Sequence, residues 1–279
     1  MLACLQIRRH TPKSIIEKAL GRLTKPKTLV CEKSAFGAGY FLITAQIKGN
    51  RAVDWHAVKN HIPPSVRVLL TPGSHPPPEE LGFPPPYFPD FEQQVLLRTA
   101  CALIQIADIP IYRRVLGLLD KTGEHSWMLP QLLCHYSCVR VLTENTGHYE
   151  IVAEDIMEQM GAPVQFSSSP GDFSDCALVL SPKDGADVLS KIPACPVLAG
   201  RPFSGAGKGT TFSGLRVLPE SEAPAQIPPG ICPHEFAGAL WELYGISLGD
   251  ERAKHILING RRARLEEATA LILKAGPQH

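Results

Sequence analysis

The chain has 279 residues, 44% hydrophobic, 20% charged and 7% aromatic, with 28 Lys plus Arg against 27 Asp plus Glu. A chain of this length can bury a core without a disulfide or a metal, and the composition excludes disordered, collagenous and disulfide-scaffold classes. The formal charge of +1 speaks against a nucleic-acid binder, whose footprint is an excess of Lys and Arg.

Taken in chain order, the first third reads as a small α+β unit over residues 1–71. Thr11, Pro12 and Ser14 open a helix, with Ile15, Ile16, Ala19, Leu20 and Leu23 at helical spacing. Strands are predicted at Thr28–Cys31 and Tyr40–Ile47 around the turn Phe36-Gly37-Ala38-Gly39, a helix at Asp54–His61, and a strand at Ser65–Leu70. The apolar start, Met1–Ile7, meets Arg8 and Arg9 on the wrong side for a signal peptide. Between Pro63 and Pro89, ten of 27 residues are proline, which forbids helix and central strand. Residues 72–90 therefore read as a stiff connector, with Phe83, Tyr87, Phe88 and Phe91 docking it on its own protein.

From residue 91 to the end, strands alternate with helices. Asp90-Phe91-Glu92-Gln93 resembles a capping box opening a helix. The apolar run Val95–Ala107 is too short, and too interrupted by Arg98 and Gln105, to span a bilayer. A strand at Ile111–Leu119 and a helix near Met128–His135 lead to the strand Cys138–Leu142. Tyr149, Val152, Ala153, Ile156, Met157 and Met160 then form one helical stripe, closed by Gly161. Further strands are predicted at Val164–Phe166, Ala177–Leu180, Pro196–Ala199, Leu215–Leu218 and His255–Ile258. Helices follow at Pro233–Tyr244 and from about Arg264 to Ala275. Arg261, Arg262 and Arg264 read as a solvated turn before the last helix.

Short apolar strands separated by helices are the pattern of βαβ units. The fold class is thus α/β, a doubly wound, mostly parallel sheet with a smaller N-terminal α+β unit. Over about residues 110–220 the pattern resembles a Rossmann-like domain. That resemblance implies a ligand beyond the carboxyl ends of the strands, where strand order reverses. The residues there are Asp120; Thr143, Glu144 and Asn145; Ser181 and Lys183; and Gly200 and Arg201. A small anionic or nucleotide-like ligand is the best reading of this set.

NAD(P) binding is not supported by a fingerprint. The turn Leu119–Glu124 has one glycine instead of three, although Glu144 stands where a ribose-binding acid is expected. Asp120-Lys121-Thr122-Gly123 is similar to the phosphorylation motif of P-type ATPases, in the haloacid-dehalogenase-like superfamily. That similarity implies Asp120 as nucleophile, Thr143 as the next hydroxyl and Lys183 as the phosphate-stabilising amine. The motif departs at Glu124, and no acidic pair follows a later strand to hold magnesium. Read instead as an ordinary strand-to-helix turn, Asp120 is a cap whose replacement by Asn costs at most about 1 kcal/mol.

Gly205-Ala206-Gly207-Lys208-Gly209-Thr210 looks like an adenylate-kinase loop, yet Pro202 stands where a P-loop needs glycine and a strand-like run follows. The loop can still bring Arg201 and Lys208 over an anion. Cys134, His135 and Cys138 lack a second pair of zinc ligands. No Gly-x-Ser-x-Gly elbow anchors a triad. The scattered cysteines fit a reduced, cytoplasmic chain. A third reading is a non-catalytic protein whose surface, including the proline-rich segment, binds another protein. Neither membrane nor nucleic acid is an expected partner, and the sequence sets neither reaction nor oligomeric state.

Overall fold

The computed structural model describes residues 1–10, 27–48, 52–183, 190–192, 194–200, 209–218, 226–249 and 251–275. They form two compact units: residues 1–91 with 219–250, and residues 92–218 with 251–279. The sequence pattern had grouped 219–250 with the larger unit.

The first unit holds a four-stranded sheet, β1 (Leu2–His10), β2 (Thr28–Ala35), β3 (Ala38–Lys48) and β4 (Val68–Leu70), in the order β2-β3-β1-β4. β1 runs parallel to β3 and β4, and β2 pairs antiparallel with β3 across the Phe36-Gly37 turn. The sequence reading gave Met1–Ile7 no element, yet β1 is a central strand. Leu2, Ala3, Cys4 and Leu5 are all 0% exposed. A parallel strand buried on both faces shows a continuous apolar run rather than an alternation, and such a run is hard to separate from an apolar terminus.

The short helix α1 (Trp55–Lys59) is capped by Asp54, whose Oδ1 accepts from the Ala57 amide at 3.0 Å. Val53, Val58 and Val66 join Leu5, Ile43 and Leu69 in one core, with Phe83 of the proline-rich segment packed on it. Phe88 and Phe91 are also buried, so this segment is docked through its aromatics.

Residues 226–249 carry α5 (Pro233–Tyr244), numbered after the helices of the larger unit. Its Tyr244 hydroxyl accepts from the Leu2 amide (3.1 Å) and donates to the Gly39 carbonyl (2.8 Å). Phe236 meets Tyr40 edge-on at 5.7 Å. These bonds explain why the segment belongs with β1 and β3. Helix α2 (Pro89–Ile106) is not opened by the expected box around Asp90. Glu242 Oε1 instead accepts from the Asp90 and Phe91 amides at 2.9 and 3.3 Å, placing a carboxylate at the positive end of the helix dipole.

The second unit is built on an eight-stranded sheet. Its strands are β5 (Val115–Leu119), β6 (Cys138–Leu142), β7 (Val164–Phe166), β8 (Leu178–Ser181), β9 (Val197–Ala199), β10 (Thr211–Arg216), β11 (His255–Ile258) and β12 (Arg261–Arg264). The order is β12-β11-β10-β9-β8-β5-β6-β7. Among themselves β5 to β10 pair in parallel, while β11, antiparallel to β10, and β12 add an extension. Counted from β5, the parallel strands follow the order 3-2-1-4-5-6 of a doubly wound Rossmann-like sheet. The fold class read from the sequence therefore stands. α3 (Leu129–Leu133), α4 (Gly147–Met160) and α6 (Leu265–Ala275) complete the unit.

Several element boundaries differ from the sequence pattern. Ile111–Arg113 is a 3-10 turn, not the start of β5. β10 begins at Thr211 rather than Leu215, because Thr211 and Phe212 pair with Val197 and Leu198 and are buried despite the polar Thr. The arginine-rich Arg261–Arg264 is an edge strand rather than a turn. On α4, Tyr149 and Ile156 face inward but Met157 and Met160 are exposed. The expected helix from Thr11 lies outside the described residues. Among the described residues no helix is long and apolar enough to cross a membrane.

Candidate functional site

Strand order reverses between β5 and β8, which lie side by side with their crossovers leading away in opposite directions. Parallel pairing puts the carboxyl ends of β5, β6, β8 and β9 on one edge of the sheet. Asp120, Thr143, Ser181 and Gly200, each following one strand or closing it, are therefore aligned along that edge. Thr143, Glu144 and Asn145 follow β6, and Lys183 lies two residues beyond β8. Arg201, Gly205 and Lys208 lie outside the described residues. Thr211 begins a strand, whereas a P-loop needs a helix after its lysine.

The β5–β6 half of the edge is filled from within. Asp120 is 3% exposed. Its Oδ2 accepts from the His125 amide and the Tyr149 hydroxyl, both at 2.8 Å, and its Oδ1 accepts from Thr122 Oγ1 at 3.2 Å. The His125 ring stands beside it, Nδ1 3.0 Å from Oδ1. Burial pushes the Asp120 pKa up, but the hydrogen bonds from His125 and Tyr149 outweigh it and hold the carboxyl at about 2. Tyr149, fully buried at the start of α4, has its own pKa raised by burial and by the Asp120 charge.

The loops after β5 and β6 are also stitched together. The Asp120 amide donates to the Leu142 carbonyl at 3.0 Å and the Glu144 amide to the Lys121 carbonyl at 3.2 Å. Thr143 Oγ1 donates to the Lys121 carbonyl at 3.4 Å, and Asn145 Nδ2 to the Thr122 carbonyl at 3.4 Å. Gly123 has a φ of +78°, and a Cβ there would lie 2.8 Å from the Asn145 carbonyl oxygen. Only glycine fits this close approach without strain.

This geometry does not offer the dinucleotide cradle of a classical first βα turn. Six residues separate β5 from a 3-10 turn at Ser126–Met128, and α3 after it is only five residues long, with proline in its first turn. No extended helix begins where a pyrophosphate would meet backbone amides. The resemblance of Asp120–Gly123 to the P-type ATPase motif finds no support either. The Asp120 carboxylate is buried and engaged by three donors, so it has no free face for attack on a phosphate. Among the described residues no group of three or more His, Cys, Asp or Glu side chains is gathered to hold a metal.

The β8–β9 half differs. Ser181 is buried, with its hydroxyl donating to the Lys183 carbonyl at 2.9 Å, and the Gly200 amide donates to the Ser181 carbonyl at 2.9 Å. The Lys183 ammonium is half-exposed and pairs with Glu124, which lies at the end of the loop after β5. That ion pair bridges the place where strand order reverses. Sequence reasoning missed Glu124, His125 and Tyr149 as neighbours of the site. His125 was one of ten scattered histidines, and Tyr149 counted as an ordinary member of an apolar stripe.

No family model matches the chain, and no curated protein matches it. Among solved structures, shikimate dehydrogenase from Mycobacterium tuberculosis aligns over 98% of this chain and 99% of its own, with 11% identity and a TM-score of 0.33. Quinate dehydrogenase from Corynebacterium glutamicum, in complex with NAD, aligns over 98% and 99%, with 10% identity and a TM-score of 0.30. D-lactate dehydrogenase with NAD+ from Lactobacillus jensenii aligns over 90% and 96%, with 11% identity and a TM-score of 0.32. Likenesses this distant carry no argument for the chain. The Rossmann-like assignment rests on its strand order.

Proposed function

We propose that this protein binds a small anionic or nucleotide-like ligand at the carboxyl ends of β5, β6, β8 and β9. The observation that carries the reading is the Lys183–Glu124 pair standing where strand order reverses, since open α/β sheets bind ligands at that point. An incoming carboxylate or phosphate can replace Glu124 as the partner of Lys183, and the exposed pair costs little to open. Gly200 lines the same half, with Arg201 and Lys208 as further cationic contacts in this reading. Asp120, Thr143 and Asn145 hold the wall of the crevice, and Glu144 is the exposed acid beside it. The reading assigns binding and no reaction, because this fold hosts many unrelated activities. It keeps the chain in a reducing, cytoplasmic setting, on the apolar surroundings of Cys101 and Cys176.

The test is thermal unfolding against dinucleotides, nucleotides, sugar phosphates and magnesium. A ligand at 100 times its dissociation constant stabilises by about 2.7 kcal/mol. At least one anion of the panel raises Tm in the wild type and not in Lys183→Ala. A panel that leaves Tm unmoved, or one whose shifts survive Lys183→Ala, refutes the reading.

A further inference from the structure

We propose that the solvent face of β10, β11 and β12 is a docking surface for an acidic segment of a partner protein. The proposal concerns a different part of the larger unit from the strand-end site and does not depend on it. Pairing sets Arg216 of β10 opposite His255 of β11, and His255 opposite Arg264 of β12. The side chains of directly opposed residues share a face. Ile256 and Ala263, one step away, are buried, so the row lies on the outer face, where Arg216 and Arg264 are exposed. Arg262, opposite Leu257, shares that face. Among the described residues no carboxylate forms an ion pair with the guanidinium of Arg216, Arg262 or Arg264, although Glu267 accepts from the Arg264 backbone amide at 3.2 Å.

Arg216 and Arg264 flank His255 in one cross-strand row, two strand spacings or about 10 Å apart. A bulge creates the row. Phe212 pairs with Ile258 and Ser213 with Leu257, and continuing that register would set Leu215 opposite His255. The register slips between Ser213 and Arg216 instead, through Gly214 at φ +57°. Leu257 packs where a Gly214 Cβ would stand, 2.6 Å from its Cδ1. Bulges of this kind re-aim a side chain, and here the one re-aimed is Arg216.

The arginines of β12 alone could be explained as guards that keep an edge strand from pairing with another copy. Arg216 cannot, because it lies two strands in from that edge. The partner's chemistry follows from the face. Arginine forks suit carboxylates held in pairs. Arg262 and Arg264 repeat at the two-residue spacing of an extended peptide, about 7 Å. Among the described residues the row on this face holds no Phe, Tyr or Trp on which nucleic-acid bases could stack, and an open sheet is not a pocket for a lone phosphate.

The experiment is fluorescence anisotropy of a labelled peptide of about ten glutamates at low salt, where exposed charge pairs are least screened. The wild type and the control Arg67→Ser, in the first unit, bind alike. The double variant Arg216→Ser, Arg264→Ser binds about tenfold more weakly, and Arg216→Lys, Arg264→Lys, which keeps the charge without the fork, falls between. Circular dichroism and Tm confirm that each variant is folded, and the lysine pair serves if the serine pair is not. Equal binding by the variants, no binding by the wild type, or tighter binding of oligothymidylate or tripolyphosphate than of the peptide overturns the proposal.

Discussion

The two halves of one sheet edge differ in how far their polar groups are buried. Beyond β5 and β6, a buried carboxylate, a tyrosine hydroxyl and two interlaced loops occupy the space that a classical fold of this order leaves for a dinucleotide. Beyond β8 and β9, the same edge presents a half-exposed lysine paired with a solvent-facing glutamate. Position at a strand end does not by itself make a ligand contact. Asp120 and Lys183 follow neighbouring strands at the point where strand order reverses, and Asp120 is the one locked into buried hydrogen bonds.

The sharpest way to break this contrast is at Asp120. Asp120→Ala leaves the Tyr149 hydroxyl and the His125 amide without an acceptor in a buried place. It should cost about 3 kcal/mol in urea unfolding. Asp120→Asn should cost about 2 kcal/mol, more than the 1 kcal/mol of a simple cap, since its amide group turns one donor toward another. A cost below 1 kcal/mol for both would make Asp120 an ordinary turn residue.

The pH dependence has a definite sign. The folded pKa of Asp120 is about 2, below the roughly 3.9 of an unfolded chain. The stabilisation, on the order of 2 kcal/mol, is present above about pH 4 and is lost as pH falls through about 2. Asp120→Asn should remove that part of the wild-type slope between about pH 2 and pH 4, and identical slopes would contradict it.

Smaller effects follow along the same half. Gly123→Ala must place a Cβ against the Asn145 carbonyl at positive φ, costing about 1–2 kcal/mol. Tyr149→Phe removes one buried hydrogen bond to a charged acceptor, about 1.5 kcal/mol. On the other half, Lys183→Ala should change stability by less than about 0.5 kcal/mol, because the pair is half-exposed, while it abolishes anion-induced stabilisation. A structural cost at Lys183 as large as at Tyr149 would erase the distinction between the halves.

Much of this architecture was legible in the sequence for physical reasons. β6, α5 and β11 have the expected bounds because their apolar runs end at turn residues or a Gly C-cap such as Gly245. β1 was hidden because burial on both faces erases alternation, and the first half of β10 because Thr211 and Ser213 are polar yet buried. Asn259-Gly260, at φ 49° and 82°, was a readable hairpin signal between β11 and β12, masked by the three arginines after it. At the site, the strand ends could be read from pattern alone. The sealing of one of them could not, because Asp120 and Tyr149 are 29 residues apart and nothing local announces their bond.

The division of the edge is tested most directly by following backbone amide resonances while AMP, and separately inorganic phosphate, is added up to about 10 mM, a range that reaches millimolar affinities. Ser181, Lys183, Gly200 and Glu124 should shift with at least one of these anions, while His125 and Tyr149 stay in place. Shifts centred on Gly123, Glu144 and Asn145, or no shift with either anion, would contradict it.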